Sequence, residues 1–145
     1  MIKKFIHQFA SSKTYLKQVD KAYSYIFFTS LSIYLIAIFW GLFLTPEDFV
    51  QGHSYRIIYL HVPASFISQS LYLGMAFASA IFLIWKVKLS AYLVRSIAPI
   101  GAMTTFIALV SGSIWGIPTW GTWWAWDARI ISTLILFIMY LGLIS

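Results

Sequence analysis

Residues 57–85, IIYLHVPASFISQSLYLGMAFASAIFLIW, decide the fold class because they run for 29 residues without a charged side chain. A helix rises about 1.5 Å per residue and needs about 20 apolar residues to cross a bilayer core of about 30 Å. The run therefore predicts a membrane-spanning helix with interfacial residues beside it.

Further charge-free runs and the composition extend this prediction to the whole chain. Of the 145 residues, 61% are hydrophobic and only 10% are charged, which is typical of an integral membrane protein. We predict an all-α polytopic membrane protein forming one membrane domain over residues 1–145, with four transmembrane helices. The predicted spans cover residues 22–44, 61–85, 92–112 and 129–145, the last of them short enough to be incomplete. The connecting segments cover residues 1–21, 45–60, 86–91 and 113–128.

The distribution of basic residues predicts the orientation of these spans. Residues 1–21 contain five lysines, whereas the segments at 45–60 and 113–128 hold one arginine or none. The positive-inside rule therefore places the N-terminus and residues 86–91 in the cytoplasm, and the other two segments outside. No cleavable signal peptide is evident, and residues 1–21 are either a basic amphipathic segment on an anionic leaflet or a solvated tail. Because topology explains the net charge of +6, no nucleic acid is expected.

A tryptophan-rich run, WGIPTWGTWWAWDAR at residues 115–129, is the main functional signal. It holds five of the seven tryptophans, and Gly112, Gly116, Pro118 and Gly121 are expected to interrupt the helix there. Indole rings offer large, stiff apolar faces, so a cluster of them suits a flat aromatic ligand such as haem. The alternative is an aromatic belt at the membrane surface. The chain has no cysteine, so any haem is held without thioether bonds.

His61 is the best candidate for a nitrogen ligand to haem iron. It precedes Pro63, which is expected in the first turn of the second span, with Val62 extended before it. This places His61 on the same outer side as the tryptophan run, although an interfacial hydrogen-bonding role is the alternative. His53 competes but lies in a polar loop, and His7 lies on the cytoplasmic side.

Charged residues next to these elements suit the polar groups of haem. Arg56 and Arg129 are basic residues on the outer side, and a guanidinium there can pair with a propionate. Interfacial snorkelling is the alternative for both. Asp127 either caps the fourth span or contacts the ligand directly.

The run WGTWWAWDAR, preceded by FIALVSGSIWGIPTW, resembles the tryptophan-rich WWD signature of haem-handling membrane proteins. With QGHSYRIIYLHVPAS and APIGA, it is similar to the haem exporter protein C (CcmC) family of cytochrome c maturation, from about Phe39 to the end of the chain. The resemblance implies a six-span protein of the bacterial inner membrane that binds haem b non-covalently on its periplasmic face. It implies that His61 is an axial ligand. By matching position, the resemblance also implies that the haem-binding WWD segment consists of Trp115, Gly116, Trp120, Gly121, Trp123, Trp124, Trp126 and Asp127.

The family pattern also implies partners and a second ligand. Haem passes to a periplasmic haem chaperone, and an ATP-binding cassette complex and a small single-span membrane protein take part. A second axial histidine is expected beyond Ser145, so the chain is interpreted as C-terminally truncated. If the protein does not continue, haem would be five-coordinate at most, or the chain would be a nonfunctional remnant. We expect haem binding and delivery without enzymatic activity. The alternatives are a cytochrome c haem lyase component and a haem permease subunit.

Overall fold

The computed structural model describes residues 12–145, and throughout this range the chain is built from helices and short turns. It divides into two units, of which the first ends at Phe43 and the second begins at Leu44. Residues 1–11, which hold His7 and half of the predicted basic segment, lie outside the described residues.

The first unit contains one long helix. Helix α1 covers Ser12–Phe39 and passes directly into a π-helical turn at Trp40–Leu44. The apolar stretch Ala22–Leu44, which joins the end of α1 to this turn, is 23 residues long, which is enough to cross a bilayer core. Large apolar side chains are exposed along it, as expected for a helix that contacts lipid tails.

The second unit contains three helices that pack on one another. A 3-10 turn at His53–Ile57 leads into α2 (Ile58–Trp85), which is followed by α3 (Lys88–Trp120) and α4 (Ala128–Ile144). The connection between α2 and α3 is only two residues long, shorter than the predicted loop at 86–91, because Lys86 adopts a left-handed conformation with φ of 54°. Helix α3 packs against both α2 and α4.

Small residues and one buried tyrosine form the core of this unit. Met75, Ala98 and Ala102 pack around Tyr140, whose side chain is fully buried. The hydroxyl of Tyr140 donates a hydrogen bond of 2.7 Å to the carbonyl oxygen of Ser68, which ties α4 to α2. A Cβ atom added at Gly101 would overlap the tyrosine ring, so glycine is needed for this close approach.

The helix lengths confirm the predicted fold class. Within the described residues, Ala22–Leu44, His53–Trp85 and Lys88–Trp120 are each long and apolar enough to cross a membrane, and Ala128–Ile144 is a shorter apolar helix. The chain is therefore an all-α, multi-pass membrane protein.

The prediction that the tryptophan run breaks the third helix is wrong for the first part of the run, residues 115–120. Helix α3 continues through Gly112, Gly116 and Pro118 and ends only at Gly121, which has φ of 73°. Glycine costs a helix about 1 kcal/mol, a penalty that packing offsets where the residue is buried, as Gly116 is. Only residues 121–127 connect α3 to α4.

The prediction for the start of the second span is also wrong in detail. Helix α2 begins at Ile58, so Val62 is helical rather than extended and Pro63 lies inside the helix instead of in its first turn. The preceding 3-10 turn explains the difference, since it already sets helical backbone angles before Ile58. The backbone of His61 therefore lies within α2, not in the segment that leads into the helix.

Candidate functional site

A cavity of about 520 Å³ lies between α2, α3 and α4 at the end of the unit where α3 stops and α4 starts. Its lining includes His61 and Gln69 from α2, Gly112 and Trp115 from α3, and Arg129 from α4. Small-molecule sites commonly have volumes of about 300–1,000 Å³, so the cavity is large enough for an organic ligand.

The imidazole of His61 is held against α3 through one ring nitrogen. Nδ1 lies 3.0 Å from the carbonyl oxygen of Ala108 and 3.1 Å from Oγ of Ser111. Because a carbonyl can only accept, this contact favours the neutral tautomer with the proton on Nδ1, which leaves a lone pair on Nε2. Among the described residues, no hydrogen-bond partner is found for Nε2.

Gly112 makes this position of the ring possible. A Cβ atom at residue 112 would lie only 2.8 Å from Cε1 of His61, closer than side chains normally approach. The ring therefore occupies the space that any other residue type would fill.

Trp115 forms the next part of the wall and is oriented from the loop before α2. Its ring stands edge-on to that of His61, with centroids 5.8 Å apart and planes at 70°. Its indole Nε1 donates a hydrogen bond of 2.8 Å to Oε1 of Gln51. The backbone N–H of Gln51 is in turn bound by the Asp48 carboxylate at 2.8 Å, so a tight turn positions the amide that holds the indole.

Trp120 and Arg129 lie together on the α3 and α4 sides of the cavity. The guanidinium of Arg129 stacks over the Trp120 ring at 5.0 Å and pairs with Asp127 at 3.0 Å. Gly116 lies one turn before Trp120, and a Cβ atom there would lie 3.2 Å from the Trp120 ring and 3.1 Å from the carbonyl oxygen of Thr122. The cavity therefore has an aromatic wall with a cation beside it.

Asp127 caps α4. Its Oδ1 accepts hydrogen bonds from the backbone N–H groups of Arg129 and Ile130, both at 3.0 Å. The bond from Ile130 is the main reason that the pKa of Asp127 lies below its ordinary value. Desolvation opposes this shift, and the hydrogen bonds and charge of Arg129 lower the pKa further. Of the two roles predicted for Asp127, the structure shows capping.

The remaining tryptophans do not form a single flat platform. Trp123, Trp124 and Trp126 lie in the segment between α3 and α4 and do not line the cavity. The Trp123 and Trp124 planes meet at 48°, and those of Trp124 and Trp126 at 77°. Gly121 ends α3 and likewise does not line the cavity.

Arg56 and His53 are placed outside the cavity lining. Nη2 of Arg56 donates to the carbonyl oxygen of Thr45 at 2.8 Å. Nε2 of His53 lies 2.8 Å from Oε1 of Glu47, and both side chains are exposed. The structure thus separates these two residues from the group formed by His61, Trp115, Gly116, Trp120 and Arg129, which share the cavity.

Sequence reasoning missed the residues that orient this group. Gln51 holds Trp115, while Ala108, Ser111 and Gly112 hold His61. The signal for the α3 residues was a row of small side chains three or four positions apart, which marks a helix face in close contact with another helix.

Comparisons with known proteins agree with the sequence signature. The family model described as heme exporter protein C matches residues 5–145. Heme exporter protein C of Haemophilus influenzae is 42% identical over 142 residues, covering 98% of this chain and 58% of the relative. The Escherichia coli K12 protein of the same name is 51% identical over 116 residues, covering 80% of this chain and 47% of the relative. A putative cytochrome c biosynthesis ccmC-like mitochondrial protein of Marchantia polymorpha is 47% identical over 116 residues, covering 80% and 49%. The chain spans about half the length of these curated relatives.

Proposed function

Because the chain belongs to the heme exporter protein C family, we propose that it takes part in haem export for cytochrome c biogenesis by holding haem b in the cavity between α2, α3 and α4. The haem is cargo that is bound without covalent attachment and then handed on. The site acts by binding and orienting this cargo, with no enzymatic step of its own.

The main observation behind this proposal is the hydrogen bonding of the His61 ring, which engages Nδ1 and leaves Nε2 without a partner in the part of the chain that the structure describes. A histidine that ligates a metal typically donates its other ring N–H to a carbonyl, a carboxylate or water, which fixes the ring and makes it a stronger ligand. Donation from Nδ1 to Ala108 meets this requirement, and Nε2 stays available for haem iron. His61 would be the axial ligand supplied by this chain.

The surroundings of His61 fit the rest of a haem molecule. Trp115 and Trp120 provide large apolar surfaces for the macrocycle, and Arg129 provides a cation for a propionate. Asp127 keeps the guanidinium near Trp120 by pairing with it. The cavity residues would therefore orient the carboxylate edge of haem towards Arg129.

We place this site on the periplasmic side of the bacterial inner membrane, with the N-terminus in the cytoplasm. The lysine-rich start of the chain supports this orientation, and the connection at residues 121–127 then lies outside. A periplasmic haem chaperone would receive the haem there. An ATP-binding cassette complex and a small single-span membrane protein would complete the assembly.

Absorption spectroscopy tests the proposal on protein purified from membranes with an ample haem supply. We expect oxidised and reduced haem spectra from the wild type, loss or alteration of those spectra in His61→Ala, and restoration when free imidazole is added to that variant. His53→Ala is the matched control, since His53 pairs with exposed Glu47, and it should keep the wild-type spectrum. A wild type that carries no haem, or an unchanged spectrum in His61→Ala, would refute the proposal.

A further inference from the structure

We propose that Ser111 is a positioning residue for His61, whose hydroxyl holds the imidazole in the tautomer that leaves Nε2 free for a metal-bearing ligand. The inference rests on the proposed function for its biological meaning, because it assumes that Nε2 binds the cargo. The geometry of the ring itself can be tested without any cargo.

The hydroxyl of Ser111 is arranged to accept a proton from His61. Its Oγ lies 2.6 Å from the carbonyl oxygen of Ile107, one turn earlier in α3, so its own proton is directed to that carbonyl. An oxygen lone pair then faces Nδ1 of His61 at 3.1 Å. Ser111 thus discriminates against the tautomer in which Nδ1 lacks a proton.

Two acceptors share the single Nδ1 proton. The Ala108 carbonyl lies 3.0 Å from Nδ1, nearly the same distance as Ser111 Oγ, so the N–H forms a three-centre hydrogen bond with α3. The ring has little freedom to rotate, because the Ala108 carbonyl is fixed by the helix and the Ser111 hydroxyl is fixed by its bond to Ile107. The imidazole is therefore set in its ligating orientation before any ligand arrives.

Burial makes the role of Ser111 hard to replace by solvent. Only 4% of the residue is exposed, so loss of the hydroxyl is not readily compensated by water. A second acceptor on Nδ1–H also increases electron density in the ring, which strengthens Nε2 as a metal ligand. Ser111 would in this way set both the orientation and the strength of the axial bond.

The test measures the ring tautomer directly in haem-free protein that contains ¹⁵N-labelled histidine, because protonated and unprotonated ring nitrogens have different NMR shifts. His61→Ala assigns the His61 signals among the three histidines. We expect the wild type to carry the proton on Nδ1, and Ser111→Ala to lower the ratio of the Nδ1–H to the Nε2–H tautomer by about two- to tenfold.

Two further variants separate positioning from general damage to the fold. Ser111→Thr should restore the wild-type ratio, since Thr105 in the same helix places its hydroxyl 2.6 Å from the carbonyl oxygen of Gly101 in the equivalent way. Ser96→Ala is the matched control because Ser96 also bonds to the carbonyl four residues earlier, at 3.0 Å, but lies on an exposed part of α3. A wild-type Nε2–H tautomer, or equal ratios in the wild type and Ser111→Ala, would overturn the inference.

Titration with ferric haem then distinguishes this inference from the proposed function. If the wild type fails to bind haem but shows the expected tautomer ratios, the positioning geometry stands and the proposed function fails. If haem binds through His61 but Ser111→Ala leaves the tautomer and the haem spectrum unchanged, the proposed function stands and the role of Ser111 is refuted.

Discussion

Replacement of Gly112 by alanine should weaken haem binding through the position of His61. The added Cβ would lie 2.8 Å from Cε1 of the imidazole, whereas carbon atoms pack best at about 3.5–4.0 Å. The ring must therefore move away from α3 by at least about 0.7 Å to reach that contact range.

This movement has a calculable effect on the hydrogen bond that orients the ring. Both acceptors of Nδ1–H belong to α3, so moving the ring away from that helix lengthens both bonds at once. The distance to the Ala108 carbonyl starts at 3.0 Å, and good N–H···O bonds end at about 3.2 Å. Loss of such an outer partner typically lowers metal affinity by about 10–100-fold, which is the fall in haem affinity we expect.

The assay is a titration of the purified protein with ferric haem, followed by absorption spectra that report the axial ligand. Gly74→Ala is the control, because a Cβ at Gly74 in α2 meets no atom within 4 Å. A Gly112→Ala protein that binds haem within about twofold of the wild type, with the same spectrum, would show that the His61 position does not limit affinity.

Two further predictions concern stability and pH. Gly101→Ala should lower the free energy of unfolding by about 1–3 kcal/mol, because its Cβ would overlap the buried Tyr140 ring. Unfolding in detergent would show this, and the control Gly74→Ala, whose Cβ meets no atom, should keep or raise the free energy of unfolding by up to about 1 kcal/mol. The first turn of α4 should become less protected against hydrogen exchange in acid. Folding lowers the pKa of Asp127, so the stabilisation from its ionised carboxylate is complete above the ordinary pKa and is lost as the pH falls through the folded pKa. The protection factors of the backbone amides in the first turn of α4, which compare their exchange with that of an unfolded chain at the same pH, should therefore fall in acid in the wild type but not in Asp127→Asn. Equal pH profiles of the protection factors would contradict the capping role.

Much of the fold was predictable because a bilayer permits few solutions. Charge-free runs of sufficient length must form helices, since an unpaired backbone group in lipid is costly. The same constraint explains why α3 passes through Gly112, Gly116 and Pro118. Gly and Pro residues at this spacing indicate a break in soluble proteins. In a bilayer, the remaining backbone N–H and C=O groups need partners within the helix, and this need, with the packing of the small residues, favours a longer helix.

The site was predictable only in its broad arrangement. Connectivity alone places the start of α2 and the end of α3 at the same end of the unit, and the His61 and Trp115 rings are indeed 5.8 Å apart. The rotation of each helix about its axis was not predictable, because it depends on which small residues make contact. This rotation is what places Ala108 and Ser111 against His61.

The tryptophan run is continuous in sequence but is divided in the structure between helix α3 and the segment that follows it. Trp115 and Trp120 belong to α3, so the helix fixes their positions relative to His61, and Gln51 fixes the orientation of the first ring. Trp123 and Trp126 lie in the connecting segment and are 65% and 78% exposed, with Trp124 between them in ring contact with both. Rings fixed on a helix can determine where a ligand lies in the cavity. The exposed rings outside the cavity are instead accessible to solvent, lipid or a partner. Within the proposed function, the affinity for haem therefore depends first on Trp115 and Trp120. The transfer of haem into or out of the cavity would depend on the exposed rings outside it.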